Sequence, residues 1–242
     1  MTLVDSVLFR DAEIKNSDPS DIYIMSHDHK LGEGGFAKVF KAKRKSDGMV
    51  CALKFCTPRK KKERNLIINE IGLMNQCQDH PTVLQIFNAF DYKERIWIFL
   101  ELMDCDLTDF IEKYHPRYSE NVIKYILRKV LEGLQFLHAK AIIHRDIKSD
   151  NILVNSKGDV KLSDFGFSCQ LDGPAHSRKS VVGTILWMAP ELLESGIGGY
   201  DSSVDIWSFG ILASVRIPTG IFSNGYHGMY PSCGTGWSSG IY

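Results

Sequence analysis

The stretch from His144 to Gly166 leaves this chain few ways to fold. Two short β-prone runs, Ile152-Leu153-Val154 and Val160-Lys161-Leu162, flank the polar turn Asn155-Ser156-Lys157-Gly158, which is the pattern of a tight hairpin. Before it lies His144-Arg145-Asp146-Ile147-Lys148-Ser149-Asp150-Asn151, and after it Asp164-Phe165-Gly166. An acid, a lysine and an amide therefore share one loop. The hairpin brings a second acid back beside them.

That set suits phosphoryl transfer from a metal-bound nucleotide. One carboxylate orients an incoming hydroxyl and accepts its proton, an ammonium steadies the migrating group, and an amide with a second carboxylate holds Mg²⁺. The block resembles the catalytic and metal-binding loops of eukaryotic protein kinases, matching His-Arg-Asp, Lys, Asn and Asp-Phe-Gly position by position. The resemblance implies Asp146 as base, Lys148 on the γ-phosphate, and Asn151 and Asp164 as metal ligands, with ATP and Mg²⁺ as cofactors. Either short motif alone is weak, whereas the two together at this spacing are specific.

Composition sets the outer limits. A chain of 242 residues can bury a sizeable core, as one large domain or two lobes. Lys+Arg 29 balance Asp+Glu 29, so no global field favours nucleic acid or an anionic membrane. Six cysteines are scattered without a C-x-x-C pair, which argues against a disulfide framework or zinc site and for a reducing compartment. The amino-terminal residues lack the sustained apolar core of a signal peptide, and no apolar run is long enough to span a bilayer. The expectation is a cytoplasmic protein.

Residues 1–28 are polar and irregular and read as a lead into the domain. Leu31-Gly32-Glu33-Gly34-Gly35-Phe36-Ala37-Lys38-Val39-Phe40 then alternates apolar residues around glycines, predicting two strands joined by a flexible loop. Val50-Cys51-Ala52-Leu53-Lys54-Phe55 is a β-prone run carrying one lysine. A Gly-rich turn alone is usually just a hairpin, and a strand lysine is usually solvated. Together they resemble the kinase phosphate-covering loop and its strand lysine, with Ala37 in place of the third family glycine. Arg59-Lys60-Lys61-Lys62 reads as a solvated helix entry. Leu66, Ile67, Glu70, Ile71 and Met74 recur at helical spacing, and Glu70 sits in that apolar stripe, where an unpaired carboxylate is costly. The resemblance makes Glu70 the partner of Lys54.

Val83–Phe87 and Ile96–Leu100 read as strands around a polar turn at residues 91–95. The second leads into Glu101-Leu102-Met103-Asp104, which fits the hinge where adenine is held by backbone groups, with Leu100 as gatekeeper. By the same resemblance the nucleotide site is lined by Leu31, Gly32, Gly34, Gly35, Val39, Ala52, Lys54, Glu101, Met103 and Leu153. A short helix begins near Asp106, and a longer one opens at Ser119-Glu120 with Val122, Ile126, Val130, Leu134 and Leu137 as its core stripe. Residues 166–180 read as loop. Val182-Gly183-Thr184 through Ala189-Pro190-Glu191 resembles the end of an activation segment, with Thr184 against Asp146 and Lys148. Ser203–Ile211 resembles the central C-lobe helix, its Asp205 anchoring the catalytic-loop backbone.

The expected fold is therefore α+β and bilobal. A β-rich N-lobe with one helix spans 29–100, a mostly helical C-lobe spans 101–213, and residues 214–242 form a divergent Gly/Ser/Tyr-rich tail. The expected activity is that of a serine/threonine kinase acting on protein hydroxyls, as Lys148 favours over tyrosine. Within the family the chain is most similar to the sterile-20-like kinases, in particular those activated by small Rho-type GTPases. An upstream activating kinase is implied, yet Val181 stands where that subgroup carries its activating threonine, leaving Ser180 or Ser177 to receive a phosphate opposite Arg145. Ile185-Leu186 replaces the subgroup's Pro-Tyr. Because the family pattern stops near Ala213, two other readings accompany the kinase: a weakly catalytic nucleotide-binding module, and a fragment unstable alone.

Overall fold

The computed structural model describes residues 14–34, 37–114, 118–171, 178–194 and 199–216. Its first half is a six-stranded sheet with one helix. In chain order come β1 (Ile14–Lys15), β2 (Tyr23–Gly34), β3 (Ala37–Arg44), β4 (Val50–Cys56), α1 (Lys61–Gln76), β5 (Ile86–Tyr92) and β6 (Arg95–Leu100). Spatially the strands run β1-β5-β6-β4-β3-β2, with only β1 parallel to its neighbour. The Gly-rich stretch forms the expected hairpin, with Gly34 opposite Ala37. Gly35, Phe36 and the loop tip lie outside the described residues.

Period-2 alternation gives this sheet two apolar faces. On the inner face Ala52, Ala89, Ile98 and Leu100 join the main core with Ile67, Ile71 and Met74 of α1. On the outer face Tyr23, Ala42, Cys51, Leu53, Phe90 and Phe99 form a cluster of their own, and the Tyr23 and Phe99 rings stack at 3.6 Å. Glu63 starts α1 by accepting from the Arg59 and Lys60 amides at 2.7 and 3.2 Å, meeting donors that the helix leaves unpaired.

The second half is mainly helical. It comprises β7 (Cys105–Asp106), α2 (Leu107–Tyr114), α3 (Glu120–Ala139), β8 (Ile142–Ile143), β9 (Ile152–Val154), β10 (Val160–Leu162), β11 (Cys169–Gln170), α4 (Pro190–Leu193) and α5 (Ser203–Arg216). The predicted hairpin is β9–β10, extended by β7 into a three-stranded sheet. Ile126, Val130, Leu134 and Leu137 of α3 are buried behind it, each removing enough apolar surface from water to contribute about 1.5–3 kcal/mol. Gly133 lets the helix come this close. A Cβ there would stand 2.7 Å from Thr82 Oγ1 and 2.8 Å from Leu162 Cδ1.

Several local expectations need correcting. The region read as an irregular lead contributes to the sheet, through β1 on β5 and a β2 that begins at the buried Tyr23. The strand placed at Val83–Phe87 begins at Ile86, and Val83 makes only an isolated bridge to Leu162. The turn at 91–95 shrinks to Lys93-Glu94, both left-handed at φ 51° and 61°. That is the backbone a two-residue hairpin demands, reached here without glycine or asparagine. Val122 is 36% exposed, and Ile123 takes its place in the core. Cys169–Gln170 is a strand paired with β8 rather than loop. Ser177 and the tail from residue 217 onward lie outside the described residues.

Candidate active site

Lys54 projects from the inner face of β4 toward α1. Its Nζ lies 2.6 Å from Glu70 Oε1 and 3.5 Å from Asp164 Oδ1. Burial works against the charge on Lys54, but the two carboxylates outweigh it and hold the ammonium well above the ordinary lysine range. Burial pushes Glu70 upward while Lys54 draws it back. Asp164 is held below the usual carboxylate range, first by Lys54 and further by His144 and the Gly166 amide. It therefore stays anionic. Its backbone is left-handed, φ 59°, and its side chain remains 46% exposed.

The loop after β8 is fixed from below. Asp205, fully buried on α5, accepts from the amides of His144 at 2.8 Å and Arg145 at 2.7 Å, and it also contacts His138 Nε2 at 2.8 Å. His144 reaches the Ser163 carbonyl at 3.0 Å, tying the loop to the segment that carries Asp164. On this floor Asp146 receives Asn151 Nδ2 at 2.8 Å on Oδ2 and Thr184 Oγ1 at 2.7 Å on Oδ1. Lys148 Nζ stands 3.1 Å from Asp146 Oδ2 and donates to Thr184 Oγ1 at 2.8 Å. Asn151 also donates to the Asp146 carbonyl, so its amide oxygen points away from Asp146. The expected contacts of Thr184 and of Asp205 are both present.

The side chains expected around the adenine base meet in the main apolar core. Ala52 and Met103 are buried in the main core, with Val39 and Leu153 half-buried against it, while Leu31 is 46% exposed and Gly32 partly open. The Glu101 amide donates to the Gln85 carbonyl at 2.9 Å, and the Glu101 carboxylate pairs with Lys161 at 3.0 Å, so its side chain faces away from a ligand role. Gly34 closes the strand above. Gly35 is the one expected lining residue outside the described residues.

The chemistry of the donor set fits a nucleotide and Mg²⁺. No group of three or more His, Cys, Asp or Glu side chains that could hold a metal by themselves occurs among the described residues. One ionised carboxylate and one amide oxygen, at Asp164 and Asn151, suit Mg²⁺, which takes few protein ligands and completes its shell with phosphates and water.

Some partners carried no signal in the sequence. Besides Ser180 Oγ, which was expected opposite it, Arg145 Nη1 donates at 2.9 Å to Tyr200 OH, and Asn69 of α1 donates to the Ser168 carbonyl at 2.9 Å. Tyr200 and Asn69 lie in no motif. Only an aromatic next to the helix-starting Asp201-Ser202 marks the former. Val181 is 54% exposed and Ile185 and Leu186 more so.

A β-rich half with a lysine–glutamate pair, over a helical half that presents two carboxylates, a lysine and an amide, has the architecture of a phosphotransferase. The family model for the protein kinase domain matches residues 25–224, past the expected end of the family pattern near Ala213. The chain belongs to the protein kinase domain family. It is 39% identical over 204 residues to serine/threonine-protein kinase pakA of Dictyostelium discoideum, covering 82% of this chain and 16% of that protein. It is 41% identical over 184 residues to serine/threonine-protein kinase PAK 4 of Homo sapiens, covering 76% and 30%. With serine/threonine-protein kinase 10 of Mus musculus the figures are 37% over 201 residues, 81% and 20%. The chain thus spans less than a third of the length of these relatives.

Proposed function

We propose that this chain is an ATP-dependent kinase of serine and threonine hydroxyls in protein substrates. The observation that carries the reading is the joint engagement of Asp146 by Asn151, Lys148 and Thr184, set against Asp164 and the Lys54–Glu70 pair. Protein kinases as a family use ATP and Mg²⁺. Bound here, they would supply the γ-phosphoryl group and the cation that neutralises it, with Asn151 and Asp164 as the metal's protein ligands. Lys54, oriented by Glu70, holds the α- and β-phosphates, and Val39, Ala52, Met103 and Leu153 cover the base. Asp146 turns the substrate hydroxyl toward the phosphorus and accepts its proton. Lys148 balances charge developing on the transferred group.

Arg145 supports a regulatory extension. Ser180 already rests on its guanidinium, so a phosphate added there by an upstream kinase would form a charge-assisted pair. We place the N-lobe at 14–100, because β1 and β2 belong to its sheet, and the C-lobe from 101 to the end of α5 at Arg216. The chain is assigned to the cytoplasm, which suits five described cysteines that are all free thiols. No described helix is long and apolar enough to cross a membrane.

The test is transfer of labelled γ-phosphate to a serine-rich protein by the purified chain and by Asp146→Asn. The asparagine cannot take the proton, so the rate should fall by about 10²–10⁴-fold, while the midpoint shift given by Mg²⁺-ATP stays. Equal rates in the two chains would remove Asp146 from its role.

A further inference from the structure

Helix α1 carries Glu70, and the roll of the helix about its own axis decides whether that carboxylate meets Lys54. The apolar stripe of Ile67, Ile71 and Met74 seats α1 in the main core. Apolar burial is non-directional, so small rolls cost the stripe little and polar contacts must set the angle. At the ends of the helix, Arg64 pairs with Asp91 of β5, and the Gln76 carbonyl accepts from Lys140 Nζ at 3.0 Å. In the middle, two consecutive side chains act in different directions. Glu70 reaches Lys54 at 2.6 Å, while Asn69 Nδ2 donates to the Ser168 carbonyl at 2.9 Å. Successive helical residues diverge by about 100°. Either contact alone lets the helix turn about it, and the two together do not.

Ser168 is a junction. Its amide donates to the Phe165 carbonyl at 3.0 Å, its Oγ donates to the His144 carbonyl at 3.2 Å, and its own carbonyl receives Asn69. The side chain is buried, and the preceding carbonyl, that of Phe167, accepts from Arg145 Nε at 2.6 Å. The acceptor offered to α1 is therefore fixed by the segment that carries Asp164 and by the catalytic loop. We propose that Asn69 is a positioning residue, whose hydrogen bond to Ser168 sets the roll of α1 and so keeps Glu70 on Lys54. Its bearing on catalysis rests on the kinase reading above, whereas its hold on the Lys54–Glu70 contact does not.

The experiment is acetylation of the full chain by acetic anhydride, read lysine by lysine by peptide mass spectrometry, in the wild type, Asn69→Leu and Asn69→Asp. An amine reacts once it leaves its ion pair, so where pairing dominates the rate follows the population in which the pair is open. Lys161 of β10, buried and paired with Glu101 at 3.0 Å, is the internal reference for general loosening. Asn69→Leu should raise labelling of Lys54 relative to Lys161 by about 2–10-fold, the equilibrium factor that one hydrogen bond is worth. Asn69→Asp keeps the shape but sets a carboxylate against the Ser168 carbonyl oxygen, and should raise the ratio at least as much. A ratio unchanged in both variants overturns the proposal, whether neither lysine gains or both gain in step. So does a rise in Asn69→Leu alone, since shape and not the donor would then matter. A wild-type chain that transfers no phosphate would count against the kinase reading, and the ratio would still decide the role of Asn69.

Discussion

At the scale of single residues, the Lys54–Glu70 pair is where electrostatics and function meet. Lys54 has two carboxylates within reach and Glu70 has one ammonium, so the two halves of the pair are not equivalent. Glu70→Ala leaves Lys54 with Asp164 and should cost less than the roughly 3–5 kcal/mol of a broken buried pair. Lys54→Met leaves Glu70 buried without a partner, and burial then raises its pKa unopposed. An acid whose folded pKa exceeds the unfolded value binds more protons when folded, so stability rises as pH falls. Urea midpoints of Lys54→Met should accordingly be higher at pH 5 than at pH 8. A flat profile would mean that Glu70 finds another partner or water. Much of this was legible, because Asp146, Asn151 and Asp164 sit in motifs whose spacing is itself informative, whereas Lys54 and Glu70 were assigned through the family resemblance. The Glu101–Lys161 and Arg145–Tyr200 contacts were not, because they join positions that only tertiary folding brings together.

At the scale of elements, the activation stretch and the catalytic loop meet at Gly183. Its φ is 118°, and a Cβ there would fall 2.4 Å from the Arg145 carbonyl oxygen. Gly183→Ala therefore combines backbone strain of about 1–3 kcal/mol with a clash that must move one segment off the other. Thr184 follows directly, so its contacts to Asp146 and Lys148 should loosen too. Phosphoryl transfer should fall more than thermal stability does. Equal activity with a lowered midpoint would make Gly183 a packing glycine only. Element identity came through well where period and turn chemistry agreed, as in β9–β10 and α1. Boundaries slipped where tertiary contact decides them. Ile123 and Val122 are adjacent apolar residues, and only the direction from which β10 packs on α3 selects the inner one. The turn between β5 and β6 was expected, but its two-residue length was hidden because neither Lys93 nor Glu94 advertises a left-handed backbone.

At the scale of the whole molecule, the proposed nucleotide site draws on both halves, with Lys54 and Glu70 on one side and Asp146, Asn151 and Asp164 on the other. Ligand binding should therefore stabilise the chain as a unit. Mg²⁺-ATP at about 100 times its dissociation constant adds roughly 2.7 kcal/mol. At about 2–4 °C per kcal/mol for a domain of this size, differential scanning fluorimetry should show a rise of about 5–11 °C. A transition that ignores Mg²⁺-ATP would mean the two halves do not close on a nucleotide. The half-exposed Ile206 and Trp207 on α5 show where further packing would add to this stability.

The hold of Asp205 on the catalytic loop also has a temporal side. Arg145 and the carboxylate that receives its amide are separated by 60 positions. A ribosome adding about 5–20 residues per second makes the loop roughly 3–12 seconds before it makes the anchor. During that interval the residues of the sheet, α1 and α3 have been made, while the loop that follows α3 has no floor. The nascent chain can therefore complete its sheet half well before the catalytic loop is held, and synonymous codon changes that slow translation between 145 and 205 would lengthen the interval in which the loop is open to chaperones or to misfolding.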